Sequence, residues 1–278
     1  MPSNWKNSAL EPLRRLLAPL AASVFPDLCP LCREPLPQAS SRFCATCEAS
    51  LVPISHPFCL RCGKPFNSKL GGDHPCGDCY LHPRLPFARA RAYGLYQGPL
   101  AEGIRRFKYH AEFSLTRSLS GIFEEAFRRE FGDSAYDLVI PVPLHGRRLR
   151  SRGFNQAILL SRGLARRHGL PLDCRNLQRI RDTVPQYGLK IREREKNVKG
   201  AFALQRPERI AGRRVLLVDD VYTTGATAKE CARVLKRAKA ASIDVLTLAR
   251  AGEGLPPETT LNAVETRQPN KREEEKAD

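Results

Sequence analysis

Val215-Leu216-Leu217-Val218-Asp219-Asp220-Val221-Tyr222-Thr223-Thr224-Gly225-Ala226-Thr227 is the stretch on which the fold turns. Four continuous apolar residues read as a strand buried on both faces, the kind found inside a parallel sheet. Two acids follow at its carboxyl end, where open α/β sheets bind ligands. Next comes a hydroxyl-rich loop with one glycine, and then a helical pattern from Thr227 to Ala238. A helix N-terminus offers unpaired backbone N–H groups and positive dipole character, which suit a phosphate. Thr223, Thr224 and Thr227 can add hydroxyl donors, and Gly225 lets backbone approach the anion closely. Asp219 and Asp220 would repel phosphate but accept hydrogen bonds from vicinal hydroxyls, so a ribose 5-phosphate satisfies both halves of the stretch. A helix start chosen only for capping accounts for one or two of these residues, not for the set. A GxxxxGK[ST] loop is absent, which leaves an ATPase reading without support.

Outward from this stretch, apolar runs alternate with helical patterns over residues 88–250. Ala88–Tyr96 reads as a strand. Leu100–Phe107 and Leu115–Phe131 read as helices, the second carrying Leu115, Leu119, Ile122, Phe123 and Phe127 on one face. Asp137–Pro143 reads as a buried strand ended by proline, Ala157–Arg167 as a helix stopped by Gly169, and Ile243–Leu248 as a further strand. Such alternation predicts an α/β fold with a doubly wound, mainly parallel sheet.

Residues 26–83 differ in kind: rich in proline, without hydrophobic periodicity, and holding eight of the ten cysteines. These form four CxxC pairs, Cys29/Cys32, Cys44/Cys47, Cys59/Cys62 and Cys76/Cys79. A tight knuckle lets each pair present two sulfurs to one tetrahedral metal, and two knuckles close a Cys₄ site. A small segment that cannot build its own core needs such staples. The spacing predicts two structural zinc ions in tandem ribbons, with an interleaved pairing left open. A redox CxxC occurs once at a helix start, not four times among prolines. His56, His74 and His82 read as bystanders, and Cys174 and Cys231 as core or helix-face residues of the α/β part.

The flanks carry less. Arg14 and Arg15 precede an apolar run broken by Pro19, and residues 10–25 read as a short amphipathic helix packing on the body, within an N-terminal helical segment over 1–25, rather than a signal peptide. Residues 251–278 lack periodicity and read as a disordered tail. The sequence holds no run long and apolar enough to span a membrane, and cysteines meant for metal favour a cytoplasmic location. The formal net charge of +17 points toward a polyanionic partner. Eight thiolates and two divalent cations trim that surplus without abolishing it.

The 215–227 stretch resembles the 5-phosphoribosyl-1-pyrophosphate (PRPP) signature of type I phosphoribosyltransferases. Ile140-Pro141-Val142-Pro143-Leu144-His145 through Arg152-Gly153-Phe154-Asn155-Gln156-Ala157 resembles the ComF family (ComFC/GntX-like proteins). So do Arg179, Arg181, Thr183, Pro185 and Gln186, continuing through Arg194, Asn197-Val198 and Gly200-Ala201-Phe202. Members of that family carry a double zinc ribbon before a transferase-like domain, so the resemblance covers about residues 26–250. It implies PRPP or a related ribose phosphate as ligand, magnesium accompanying it, and a role with imported single-stranded DNA in natural transformation. Asp219 and Asp220 are the candidate catalytic pair, and Val221 through Thr227 the phosphate-binding loop. Arg147, Arg148, Arg150 and Arg152 form a dense cationic loop that in this fold faces the pyrophosphate, with Arg147, Arg148 and Arg152 as candidate clamps. A solvated basic loop or DNA-backbone contacts explain the same arginines. Residues 185–199 suit a mobile lid or an exposed charged helix.

Three functions follow: a phosphoribosyltransferase of nucleotide metabolism or salvage, a competence factor handling single-stranded DNA with a ribose-phosphate site, and a zinc head docking the α/β part to a helicase or competence-apparatus partner. The second accounts for most features and leaves catalysis open. Base-stacking aromatics are sparse, with Phe154, Tyr109 and Tyr187 as candidates.

Overall fold

The computed structural model describes residues 27–252 apart from 39, 69–70 and 185–190. The expected amphipathic N-terminal segment, the expected tail beyond residue 252, and Pro185, Gln186 and Tyr187 lie outside the described residues. Among those described, no helix is long and apolar enough to cross a membrane.

The knuckles carry two short helices, α1 (Ala45–Ala49) and α2 (Gly77–Leu81). There follow β1 (Arg89–Leu95), α3 (Gly98–Tyr109), α4 (Leu115–Phe131), β2 (Leu138–Pro141), α5 (Gly146–Arg152) and α6 (Gln156–His168). Then come β3 (Leu177–Arg179), α7 (Ile191–Val198), β4 (Phe202–Leu204), β5 (Arg214–Tyr222), α8 (Ala226–Arg237) and β6 (Ser242–Arg250). Four strands form one parallel sheet in the order β1-β6-β5-β2, while β3 and β4 pair antiparallel beside it.

Apolar side chains cover both sheet faces, as a doubly wound fold requires. On one face Leu216, Val218, Leu246 and Leu248 pack with Leu119, Ile122, Phe123 and Leu160 from α4 and α6. On the other, Val215, Leu217, Ile243 and Val245 meet Cys231 and Leu235 of α8 and Leu177 and Phe202 of the β3–β4 pair. Leu115, Leu119, Ile122, Phe123 and Phe127 are all buried, so the one-faced pattern of α4 is its core face. Asn155 starts α6 by accepting the Ala157 N–H at 2.9 Å while its own amide donates to Val142 O at 3.0 Å. Gly169 ends that helix in a left-handed conformation.

The strand expected over 215–218 runs on to Tyr222. Its ladder with β6 continues through Asp219↔Thr247, Val221↔Ala249 and Tyr222↔Arg250, so pairing overrides the weak strand preference of the acids. Val221 and Tyr222, expected in the phosphate loop, are therefore its last two strand residues. The cationic loop expected over Arg147–Arg152 is instead the helix α5, capped by His145. Residues 191–198, part of the expected lid, form the helix α7.

The cysteine-rich head seals the free edge of β1. Ile54 N donates to Tyr93 O and Leu95 N to Val52 O, both at 2.9 Å, and Ala90 N donates to Arg61 O at 2.8 Å. Gly94 is required here, because a Cβ would sit 2.5 Å from Val52 O. An unpaired parallel edge is a template for aggregation, and this contact removes it.

Candidate phosphate and metal sites

The eight paired cysteines form two tandem tetrads, Cys29/Cys32/Cys44/Cys47 and Cys59/Cys62/Cys76/Cys79, with the sulfurs of each within 4.8 Å of one another. The interleaved pairing is thereby excluded. Sulfurs on a tetrahedral zinc lie about 3.8 Å apart for Zn–S bonds of about 2.3 Å. Cys62 Sγ and Cys76 Sγ are 3.7 Å apart, and Cys32 Sγ and Cys44 Sγ 3.4 Å. Cys59 Sγ also accepts N–H bonds from Cys62 and Cys76, which suits a thiolate ligand. Crowding divides the thiols: hydrogen bonding from Cys62 holds Cys59 down at about 3, while the same contact and burial push Cys62 far up. A divalent cation resolves that conflict by taking all four as thiolates. The tetrads fit two structural zinc sites, closed and without a protein-free position. His56 pairs with Asp73 at 2.7 Å, His74 stacks on Phe66, and neither belongs to a tetrad.

At the carboxyl end of β5, consecutive acids point to opposite faces of the sheet. Asp220 is buried and meets Gln156 Nε2 at 2.9 Å and Lys108 Nζ at 3.3 Å. Asp219 is not fully enclosed, yet its carboxyl lies deep toward Arg179 and Cys231. Burial first, then the Asp220 charge, push the Asp219 carboxyl up to about 7, against the pull of Lys108 and Arg179. Two acids with such unlike surroundings divide their roles: Asp220 lies beside a lysine, while Asp219, pushed up by burial, holds its proton to near neutral pH until the site gains positive charge.

Three buried polar atoms around this pair have no hydrogen-bond partner among the described residues: Arg152 Nη1, Gln156 Oε1 and Arg179 Nε. Burial lowers the pKa of both arginines, and Asp220 and Asp219 respectively offset it through their charge. Leaving a buried donor or acceptor unpaired is costly, on the order of 1–3 kcal/mol each, and a bound water, ion or polar ligand relieves that cost. Arg179 otherwise bonds Thr183 Oγ1 and lies over the Phe202 ring.

Beyond the strand, Thr223, Thr224 and Gly225 lead into α8. Gly225 is its cap at φ +74°, and a Cβ there would lie 2.2 Å from Tyr222 Oη, so conformation and space both demand glycine. Thr224 Oγ1 accepts from Ala226 N at 3.4 Å, while Thr227 sits in the first turn. The loop, the acids and the helix start thus meet at one end of the sheet.

The arginine candidates separate. Arg152 lies over the Tyr109 ring at 5.3 Å and close to Asp220. Arg148 donates to Thr183 O at 2.8 Å, and the exposed Arg147 pairs with Asp182 at 3.2 Å. The sequence reading missed Lys108, which ends a helix far upstream and carries no local signal. It gave no role to Gln156 or Arg179, although both stand in the stretches quoted above. It also missed Phe113, exposed beside Phe154 at 5.0 Å between ring centroids.

Residues 20–80 match the model of the double zinc ribbon domain, and residues 156–271 that of the phosphoribosyl transferase domain. "DNA utilization protein YhgH" of Salmonella typhi is 35% identical over 228 residues, covering 81% of this chain and 97% of that protein. "Competence protein F" of Haemophilus influenzae is 35% identical over 227 residues, covering 80% of this chain and 96% of its own. The chain belongs to the ComF family. Within it, "Competence protein ComFC" of Bacillus subtilis is 29% identical over 216 residues, 76% of this chain and 85% of that one. Among solved structures, an allosteric regulatory enzyme of purine biosynthesis superposes with a TM-score of 0.34 at 19% identity, over 48% of this chain and 26% of the enzyme. As a ComF-family chain the protein joins its zinc ribbons to a phosphoribosyltransferase-type sheet, with the acids near the carboxyl end of β5.

Proposed function

We propose that the protein binds PRPP or a related ribose phosphate, with magnesium, at the carboxyl end of β5, and that it uses this site in handling single-stranded DNA during competence. The observation that carries the ligand reading is the trio of orphaned atoms, Arg152 Nη1, Gln156 Oε1 and Arg179 Nε, gathered around Asp219 and Asp220. The loop Thr223–Gly225 and the start of α8 would take the 5-phosphate, and the acids the ribose hydroxyls. Magnesium would add the positive charge that lets Asp219 ionise. Arg152 and Arg148 would lie toward the pyrophosphate.

The nucleic-acid part is supported by charge, by relatives named for DNA utilization and competence, and by aromatic residues beside the acids. Tyr109 and Phe113 are each 55% exposed, Phe154 packs under Phe113, and Arg152 and Lys108 flank the Tyr109 ring. Exposed rings between cations suit unpaired bases, each stack contributing about 1–3 kcal/mol.

Calorimetric titration of the zinc-loaded protein with PRPP and Mg²⁺ tests the reading, alongside the double variant Asp219→Ala/Asp220→Ala. Binding by the native chain and its loss in the variant are expected, and would justify screening bases for pyrophosphate release. Folded native protein that takes up no heat would remove the ligand. Affinity for an oligothymidylate should fall as salt rises, and an affinity indifferent to salt would remove the electrostatic part.

A further inference from the structure

We infer that Arg250 is a positioning residue through which the second cysteine tetrad holds the phosphate loop in shape, an inference that rests on the ribose-phosphate reading of that loop. Arg250 is the last residue of β6 and is buried. A buried guanidinium needs partners for its donors and a plane to lie on. Its Nη1 donates to Cys62 O at 2.7 Å and its Nη2 to Cys62 Sγ at 3.5 Å. Its plane covers the ring of Tyr222 at 4.7 Å. One side chain thus touches a metal-ligand residue on one side and the end of the acid-bearing strand on the other.

Tyr222 passes the contact on. Its ring is buried, held edge-on by Phe87 and from above by Arg250, and its hydroxyl fills the space beside Gly225. Gly225 is the cap residue of α8, so the position of the Tyr222 ring sets where the loop turns and where the first α8 amides point. The backbone supports the same line, with Tyr222 paired to Arg250 in register and Ala251 N donating to Tyr222 O at 3.0 Å.

Four thiolates around a divalent cation carry a net negative charge, and a guanidinium bonded to one sulfur is a second layer of that centre. The first tetrad has a comparable contact of its own: Arg106 Nη1 donates to Leu31 O at 2.8 Å, between Cys29 and Cys32. Arg106 lies in the last turn of α3, pairs with Glu112, and among the described residues has no hydrogen bond or ring contact to Tyr222 or the loop. The two ribbons are therefore unequal: the second bears on the phosphate loop and the first on the helical face.

The test uses full-length zinc-loaded protein and three variants: Arg250→Lys, Arg250→Gln and, as control, Arg106→Lys. Hydrogen exchange of the amides from Val221 to Thr227 reads the loop without any ligand, calorimetry with PRPP and Mg²⁺ reads affinity, and metal analysis reads zinc. Lysine keeps the charge but loses the fork and the stacking plane. Both Arg250 variants should keep native zinc content, speed loop exchange, and weaken PRPP binding by roughly tenfold, about one such contact's worth. Arg106→Lys should change neither. Unaltered loop exchange in both Arg250 variants would overturn the inference, and so would loss of zinc from them, which would make Arg250 a stabiliser of the ribbon alone. A loop that loosens in a protein that never binds PRPP would keep the positioning role and sink the ligand reading instead.

Discussion

Asp219→Asn should make the protein more stable above neutral pH while abolishing ribose-phosphate binding. The Asp219 carboxyl is moved from 3.8 to about 7 by burial and by the charge of Asp220. A carboxyl whose folded value is raised holds its proton in the folded state after the unfolded chain has released it. Its contribution is complete below about pH 4 and is lost as pH rises toward 7. At about 1.4 kcal/mol per pKa unit, the full shift sets a ceiling of about 4 kcal/mol. Sharing with Asp220 and the incomplete enclosure of Asp219 reduce the expected cost to about 1–2 kcal/mol. Asparagine has the shape and neutrality of the protonated acid, so the variant escapes this loss. Denaturant unfolding of both proteins at pH 5 and pH 8 measures it, because effects of pH on the ribbons cancel in the difference. The variant's advantage should grow from pH 5 to pH 8. An advantage equal at both, or a variant weaker at pH 8, would show that Asp219 is ionised without penalty and refute the division of roles between the two acids.

Gly225→Ala should cost about 1–3 kcal/mol through its left-handed backbone alone, with the clash against Tyr222 Oη added. Calorimetry should find ribose-phosphate affinity lowered by at least roughly tenfold (about 1.4 kcal/mol) at unchanged zinc content. Glu130→Ala should lower stability by about 3–5 kcal/mol in thermal unfolding, because it strands a buried guanidinium. The Arg91–Glu130 pair, at 3.0 Å, is among the most enclosed ion pairs of the described residues. Metal analysis of native protein should find close to two zinc ions per chain, one for each tetrad. Fewer than one would contradict the ribbons.

The fold was legible because it rests on local patterns. Four apolar residues before two acids, a glycine in a threonine loop, and a one-faced helix over Leu115–Phe131 each have a period or a chemistry readable in one window. The misses are where tertiary structure decides. Pairing with β6 carries β5 past its acids to Tyr222, which no propensity of Asp219 or Asp220 suggests. Arg147–Arg152 looks like a loop by charge, but His145 before it and Gly153 after it bound one short helix. Three-residue strands such as Leu177–Arg179 and Phe202–Leu204 are too short to show alternation. In the site, the residues contiguous with β5 were found, and so was Arg152, but three others brought in from afar were given no role: Lys108 from α3, Gln156 from α6 and Arg179 from β3. The tetrad pairing was likewise a question of space, which spacing alone left open.

The head is built into the α/β part, and this bears on which of the three functions the protein serves. Cys29, Cys44, Cys47 and Phe43 are buried in the same apolar cluster as Ile104, Phe107 and Leu119. Arg42 pairs with Glu125 on α4, and Ser118 donates to Arg42 O at 2.7 Å. With the backbone pairing along β1, these contacts make the first ribbon part of the layer that covers one sheet face. A head that served only to dock a partner would be free to pack on the sheet's surface, without filling its core or sealing its edge. Its outer side still offers Tyr80 and Leu81, more than 70% exposed on α2. On the inference above, the second ribbon would meet a partner outward while Cys62 and Arg250 hold the loop inward. On the proposed reading, a partner held at Tyr80 and Leu81 would reach the ribose-phosphate loop through the second tetrad rather than the first.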